Sequence, residues 1–322
     1  MRIFLAGATG VVGARLLPLL IEHGHEVTAT TRTPAKVAML QEAGAVAVVV
    51  DVLDGDAVMA AVREASPDVI VHQATALSGM GANPRKIGEE FALTNRLRTE
   101  GTRHLLAAAH ATGAERLVAQ SFAGWPNARE GGPVKTEDDP LDPNPPATMR
   151  AALDAIRELE ATVAGAEGMD GVVLRYGGFY GTGTSISAGG EHAEMIRKRR
   201  FPIVGDGAGV WSFIHVDDVA SATLAAIDRA PAGIYNIVDD DPAPVSEWLP
   251  ALAAAVGGRP PRRIPRWLGR LVAGEQTVSM MTSVRGSSNA KFKRELGWEP
   301  AHPSWRQGFR ELGAAPREAV AA

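Results

Sequence analysis

An apolar strand, "RIFLAG", runs straight into "GATGVVG", and that turn opens directly into "VVGARLLPLLIEHG", whose apolar residues recur at helical spacing. Few folds accept three glycines at a strand-to-helix junction. Gly7 permits the tight turn. Gly10 leaves room for a phosphate against the backbone. Gly13 lets the helix pack closely on the strand. The helix amino end then offers free N–H groups and the positive end of its dipole to a pyrophosphate. The strand-and-helix unit then repeats along the chain. Strand-like runs at 25–32, 45–51, 67–75, 115–121 and 171–176 alternate with helical patterns near 34–43, 54–65, 84–112 and 147–168. Apolar strands alternating with helices predict a parallel sheet covered on both faces. The fold class is α/β, a Rossmann-type doubly wound parallel sheet with a smaller C-terminal substrate lobe.

The rhythm breaks after residue 176. "GGFYGTGTSISAGG" reads as a glycine-rich loop, and "FPIVGDGAGVWSFIHVDDVASATLAAI" as strand, tight turn, strand and helix. "AGIYNIVDD" is a further strand, followed by a helix near 245–256, a Pro- and Arg-rich connector over 257–269 and two short helices near 288–296 and 303–312. The expected division is a dinucleotide-binding domain at 1–175 and a substrate lobe at 176–322, with 214–240 returning to the main sheet. The segment 126–146, rich in Pro, Asp and Gly, reads as a loop over the site.

Composition narrows the function. The 322 residues carry a net charge of −4, so no basic field attracts nucleic acid or an anionic membrane. There is no cysteine, which excludes thiolate nucleophiles, disulfides and Cys-ligated metals, and the eight histidines show no HxxxH or HExxH spacing. No metal is expected. No apolar run approaches the ~20 residues of a membrane span, and no signal peptide is evident. The expectation is a cytoplasmic enzyme acting on a small molecule.

The cofactor reading rests on the first half of the chain. Gly7, Thr9, Gly10, Val11, Val12 and Gly13 form the phosphate turn. A carboxylate at the end of the second strand would accept bonds from the adenosine ribose and repel a 2′-phosphate. This chain has Thr31 there, followed by Arg32, with Lys36 beyond. A guanidinium suits a phosphate, so NADP (as NADPH) is favoured and NAD is the less favoured alternative. Arg32 as a plain surface arginine remains the competing reading. Asp51, with Val52 beside it, is placed to meet the adenine, or else to cap the next helix. Gln73 and Ala74 follow the fourth strand.

Taken together, "GATGVVG", "TNRLRTEGTRHLLAAA", "VVLRYGGFYGTGT", "FPIVGDGAGVWSFIHVDDVA" and "ELGWEP" resemble, in order, the motifs of the extended short-chain dehydrogenases/reductases grouped with NAD-dependent epimerases and dehydratases. The resemblance covers nearly the whole chain. It implies hydride transfer at a nicotinamide, and a homodimer paired through the helices at 84–112 and 147–168. It also implies a Tyr that handles the proton, a Lys four residues later and a hydroxyl after the fifth strand.

Here the chain departs from the pattern. Its three tyrosines, Tyr176, Tyr180 and Tyr235, are followed four residues on by Tyr180, Thr184 and Asp239, so no Tyr-x-x-x-Lys exists. Met149 and Leu153 fall in the places of the pair. Tyr176, Tyr180 and Ser121 are the candidate replacements. Phe122, Trp125, Met149, Leu153, Phe179, His192 and Trp211 are the expected pocket, apolar enough to suit a hydrophobic substrate rather than a sugar nucleotide. The expected activity is NADP-dependent reduction of a carbonyl, imine or activated C=C with a non-standard proton donor. The alternatives are a non-redox NADP-binding sensor, an isomerase or cyclase on the same scaffold, and, less favoured, a nucleotide-sugar epimerase or dehydratase.

Overall fold

The computed structural model describes residues 1–77 and 87–314. The first elements are β1 (Arg2–Ala6), α1 (Gly13–Glu22), β2 (Glu26–Thr31), α2 (Val37–Glu42), β3 (Val46–Val49), α3 (Gly55–Ala65) and β4 (Val69–His72). Then come α4 (Ile87–Arg96), a π-helical turn at Leu97–Gly101, α5 (Thr102–Thr112), β5 (Arg116–Phe122), β6 (Val134–Lys135), α6 (Arg150–Ala164) and β7 (Asp170–Tyr176). The rest comprises β8 (Gly178–Tyr180), α7 (Glu191–Arg197), β9 (Ile203–Val204), β10 (Val210–Trp211), β11 (Phe213–His215), α8 (Val216–Arg229) and β12 (Gly233–Ile237). It closes with β13 (Ala243–Pro244), α9 (Val245–Ala255), β14 (Arg263–Ile264), α10 (Arg266–Thr282), β15 (Gly286–Ser287), α11 (Ala290–Leu296) and α12 (Trp305–Ala314). The expected start of the long helix at 84 lies outside the described residues.

Two compact units emerge, and the chain alternates between them. The first is Met1–Ser121, Met149–Arg175 and Ala220–Tyr235; the second is Phe122–Thr148, Tyr176–Val219 and Asn236–Ala322.

The first unit is built on the seven-stranded sheet, in the order β12-β7-β5-β4-β1-β2-β3. β1 runs parallel to β2 from Arg2↔Glu26 and to β4 from Ile3↔Val69. Chain order therefore reverses between β1 and β4, the point at which such sheets open a ligand crevice at their carboxyl ends. β12, the strand read in "AGIYNIVDD", lies at one edge of this sheet. Phe4, Ile70, Leu105, Leu117, Leu159 and Val173 are buried together in one core cluster of sheet and helix residues.

The second unit holds four two-stranded pairs: β10 with β13, β11 with β8, β14 with β9 and β15 with β6. Its core gathers Tyr180, Phe213, Trp248, Trp305 and Phe309. Two expectations change here. The segment 126–146 is not a bare loop. β6 pairs with β15, Asn127 Nδ2 donates to Ser287 Oγ at 3.2 Å, and Arg129 Nε donates to Asp142 at 3.0 Å. The connector also ends early, because Arg266 begins the 17-residue α10, which kinks at Gly274 with φ 80°.

Candidate active site

The phosphate turn lies at the β1–α1 junction. Gly7 has φ +89°, and a Cβ there would sit 2.6 Å from Ala74 N and from the Gln73 carbonyl carbon. Only glycine lets β1 approach β4 so closely. A Cβ on Gly13 would collide with the Gly7 carbonyl oxygen, whereas one on Gly10 would meet only that oxygen, at 3.3 Å. Gly7 and Gly13 are therefore packing glycines, and Gly10 is the least crowded of the three. α1 has no side-chain cap and no acidic residue in its first turn. An uncapped amino end beside Gly10 fits a pyrophosphate, so these residues fit a dinucleotide.

At the end of β2, Thr31 is buried and its Oγ1 accepts a bond from Thr33 N at 3.1 Å. Arg32 is exposed, and among the described residues its guanidinium has no hydrogen-bonded or ionic partner. Asp51 is also exposed, with Oδ1 accepting from Leu53 N at 3.0 Å. It is Asp54, not Asp51, that caps α3, accepting from Ala57 N. Val52 is buried and packs beneath Gly101, where an added Cβ would lie 2.8 Å from its Cγ1. Gln73 and Ala74 sit beyond β4 against Gly7.

At the carboxyl ends of β4, β5 and β7 lies a buried polar layer, of which the sequence patterns singled out Ser121 alone. The Ser121 hydroxyl donates to Glu160 Oε1 at 2.7 Å. Arg175 grips the same carboxylate with both prongs, Nε at 2.8 Å and Nη2 at 2.6 Å. His72 Nε2 bonds the Leu97 carbonyl at 3.1 Å; burial lowers its pKa to about 4, and it is neutral near pH 7. Arg98, in the π-helical turn, is 5% exposed, and its Nη1 has no hydrogen-bond partner. Desolvation lowers the Arg98 pKa to about 10. Met149 at the head of α6, and Ala152, Leu153 and Ile156 within its first two turns, are all apolar and buried. From Met149 to Ile156 the buried face of this segment presents no acid.

The remaining expected pocket residues belong to the second unit. Phe122 and Trp125 lie 6.1 Å apart between ring centroids, and Tyr176 and Phe179 5.8 Å. Tyr180 is fully buried between His215 and Phe309, and its hydroxyl has no hydrogen-bond partner. Burial raises its pKa, first by desolvation and then through Asp239 and Asp218. His192 is exposed on α7, with its ring beside Phe201. Trp211 lies 4.8 Å from Trp248 between ring centroids, tilted by 42°, and donates Nε1–H to the Met280 carbonyl at 2.8 Å.

One His/Asp cluster exists among the described residues, His215, Asp218 and His302. Asp218 accepts backbone N–H bonds from Ala301 at 2.8 Å and His302 at 2.9 Å, so it anchors the segment before α12 to the start of α8.

Residues 3–238 match the profile of the NAD dependent epimerase/dehydratase family. This chain belongs to that family. It is an oxidoreductase of the extended short-chain dehydrogenase/reductase type. A 3-diazoavenalumate denitrifying reductase from a Streptomyces species is 44% identical over 314 residues, covering 96% of this chain and 99% of that protein. A dTDP-4-dehydrorhamnose reductase from Streptomyces griseus is 30% identical, covering 96% and 92%. The fold matches that of DesIV, a dTDP-glucose 4,6-dehydratase from Streptomyces venezuelae solved with NAD, at a TM-score of 0.75 and 21% identity over 98% and 96% of the chains. It also matches a human epimerase family protein solved with NADPH, at 0.74 and 22% over 98% and 99%.

Proposed function

We propose that this protein is an NADPH-dependent reductase that delivers hydride to an oxygen-conjugated diazo group on a hydrophobic aromatic molecule, with release of dinitrogen. The observation that carries the reading is the apolar face at the start of α6. A ketone reductase must protonate an alkoxide at neutral pH and needs an acid there. Met149, Ala152, Leu153 and Ile156 supply none. Diazo reduction needs none at that step. Hydride adds, the C–N bond breaks, dinitrogen leaves with its own electron pair, and the charge left on the conjugated oxygen is neutralised later by water. The name of the 44% identical relative, a denitrifying reductase of a diazo compound, points to the same chemistry.

NADPH, when bound, supplies the hydride. The turn Gly7–Gly13 would hold its pyrophosphate, exposed Arg32 its 2′-phosphate, and Asp51 its adenine. Phe122, Trp125, Phe179 and Trp211 give the substrate an apolar, aromatic environment. In this reading Tyr180 is a packing residue, since its hydroxyl is sealed in a core. Ser121 holds Glu160 in place, and Tyr176 contacts substrate. The enzyme works as a homodimer. The test follows NADPH absorbance with aryl diazo compounds, aromatic ketones, imines and enones in parallel. Consumption with the diazo compounds above all others is expected. Preferential turnover of simple ketones would replace this reading with that of an ordinary carbonyl reductase.

A further inference from the structure

Among the described residues of the first unit, two arginines and one carboxylate are buried. Arg98 and Arg175 are 5% and 4% exposed, and the buried carboxylate beside them is Glu160. Both oxygens of Glu160 are taken by Arg175, and one of them by Ser121 as well. Arg98 feels Glu160 only as a more distant charge. The Phe91 ring lies 6.0 Å from its Cζ, a weak cation–π contact. His72, the neighbouring titratable group, is neutral and offsets nothing.

A buried guanidinium left this way is costly, because desolvation is not repaid by a paired anion. Its position argues against chance. The π-helical turn Leu97–Gly101 interrupts the helix at Arg98, and such bulges gather at functional sites. The turn sits on the carboxyl end of β4, tied there by His72 to Leu97. That end of the sheet, beside the β1–β4 reversal, is where a ligand binds.

We propose that Arg98 is the electrophilic group of this site: its guanidinium holds the negative charge that hydride transfer places on an oxygen of the substrate. This rests on the reductase reading and names the substrate class further, as one whose reacting centre is conjugated with a carbonyl or phenolic oxygen. As hydride adds to the electron-poor centre, the displaced electron pair settles on that oxygen, and a fixed cation meets it without any proton transfer from the protein. Arginine does not titrate in the working range, so it does this work without an acid at the start of α6.

The probe is 4-nitrophenol, whose yellow phenolate mimics the charged oxygen. NADP+ binding is measured first, by calorimetry. The binary complex is then titrated with 4-nitrophenol at a pH where the free probe is mostly the phenol. Wild type is expected to bind it as phenolate. Arg98→Met should bind it as phenol or at least about tenfold more weakly, and Arg98→Lys should fall between. Arg98→Met should also melt no lower than wild type, since it removes an uncompensated buried charge, while turnover drops about 100- to 1,000-fold, the range for losing one oxyanion donor. Phenolate retained in Arg98→Met, no ionised probe in wild type, or a lowered melting temperature in Arg98→Met would each overturn the proposal. If NADP+ itself does not bind, the reductase reading fails, and the same titration on the free protein still decides the role of Arg98.

Discussion

The Ser121 hydroxyl donates to Glu160 Oε1 at 2.7 Å, with both groups buried at the end of β5. That bond and the two-pronged grip of Arg175 leave both Glu160 oxygens hydrogen-bonded. Removing the carboxylate strands the buried Arg175 guanidinium. Glu160→Ala is expected to cost ~3–5 kcal/mol in denaturant unfolding. Pairing it with Arg175→Met should recover much of that loss. An additive double mutant would contradict the coupling.

The glycine turn separates packing from binding. Gly13→Ala should fail to fold or lose most of its stability, because the new Cβ strikes the Gly7 carbonyl. Gly10→Ala should fold with near wild-type melting, since its Cβ meets a single oxygen at 3.3 Å. It should nonetheless weaken NADPH binding by about tenfold or more, because the methyl occupies phosphate space. Circular dichroism melting and NADPH fluorescence distinguish the two.

Cofactor choice is expected to turn on the end of β2. Arg32→Ala should weaken NADPH about tenfold while leaving NADH unchanged, by removal of one charge-assisted contact to a phosphate. Thr31→Asp should go further and favour NADH, since its carboxylate accepts from the ribose and repels the 2′-phosphate. Parallel titrations with both nucleotides measure this.

His72 gives stability a defined pH dependence. Its folded pKa is about 4, below the ordinary value of 6.5, so the unfolded chain binds the proton first as pH falls. Its contribution is complete above pH 6.5 and is lost as pH falls toward 4. Between about pH 7 and about pH 4.5 this one group should remove ~2–3 kcal/mol of unfolding free energy. The loss should shrink by that amount in His72→Gln, measured by urea unfolding at both pH values.

Tyr180→Phe is expected to retain turnover and to change stability by less than about 1 kcal/mol, since the hydroxyl removed has no partner in an apolar core. A large loss of kcat would return Tyr180 to the reacting centre.

The sheet and the phosphate turn were legible because their signals are local. β-branched runs, helical spacing and "GATGVVG" each dictate structure within a few residues. Strand β12 was readable for the same reason. α10 was not. Gly269 and Gly274 interrupt its spacing, and Trp267 and Leu271 point to solvent, 67% exposed each. The buried polar layer was hidden more deeply. Glu160 in "ELE" reads as a surface glutamate, and its partner Arg175 lies in a strand 15 residues on. Arg98 reads as a solvated helix residue until the π-helical turn shifts the register and buries it beside Leu97. Long-range pairing decided these positions, and no short pattern records it.

Deuterium transfer follows the hydride itself. The protein is incubated with NADPH carrying deuterium at nicotinamide C4 and an aryl diazo compound with a conjugated oxygen, and the product is examined by mass spectrometry. One deuterium is expected on the carbon that lost nitrogen, with one NADP+ formed per dinitrogen released. Dinitrogen lost with hydrogen or oxygen from water at that carbon, and NADPH left unconsumed, would contradict it.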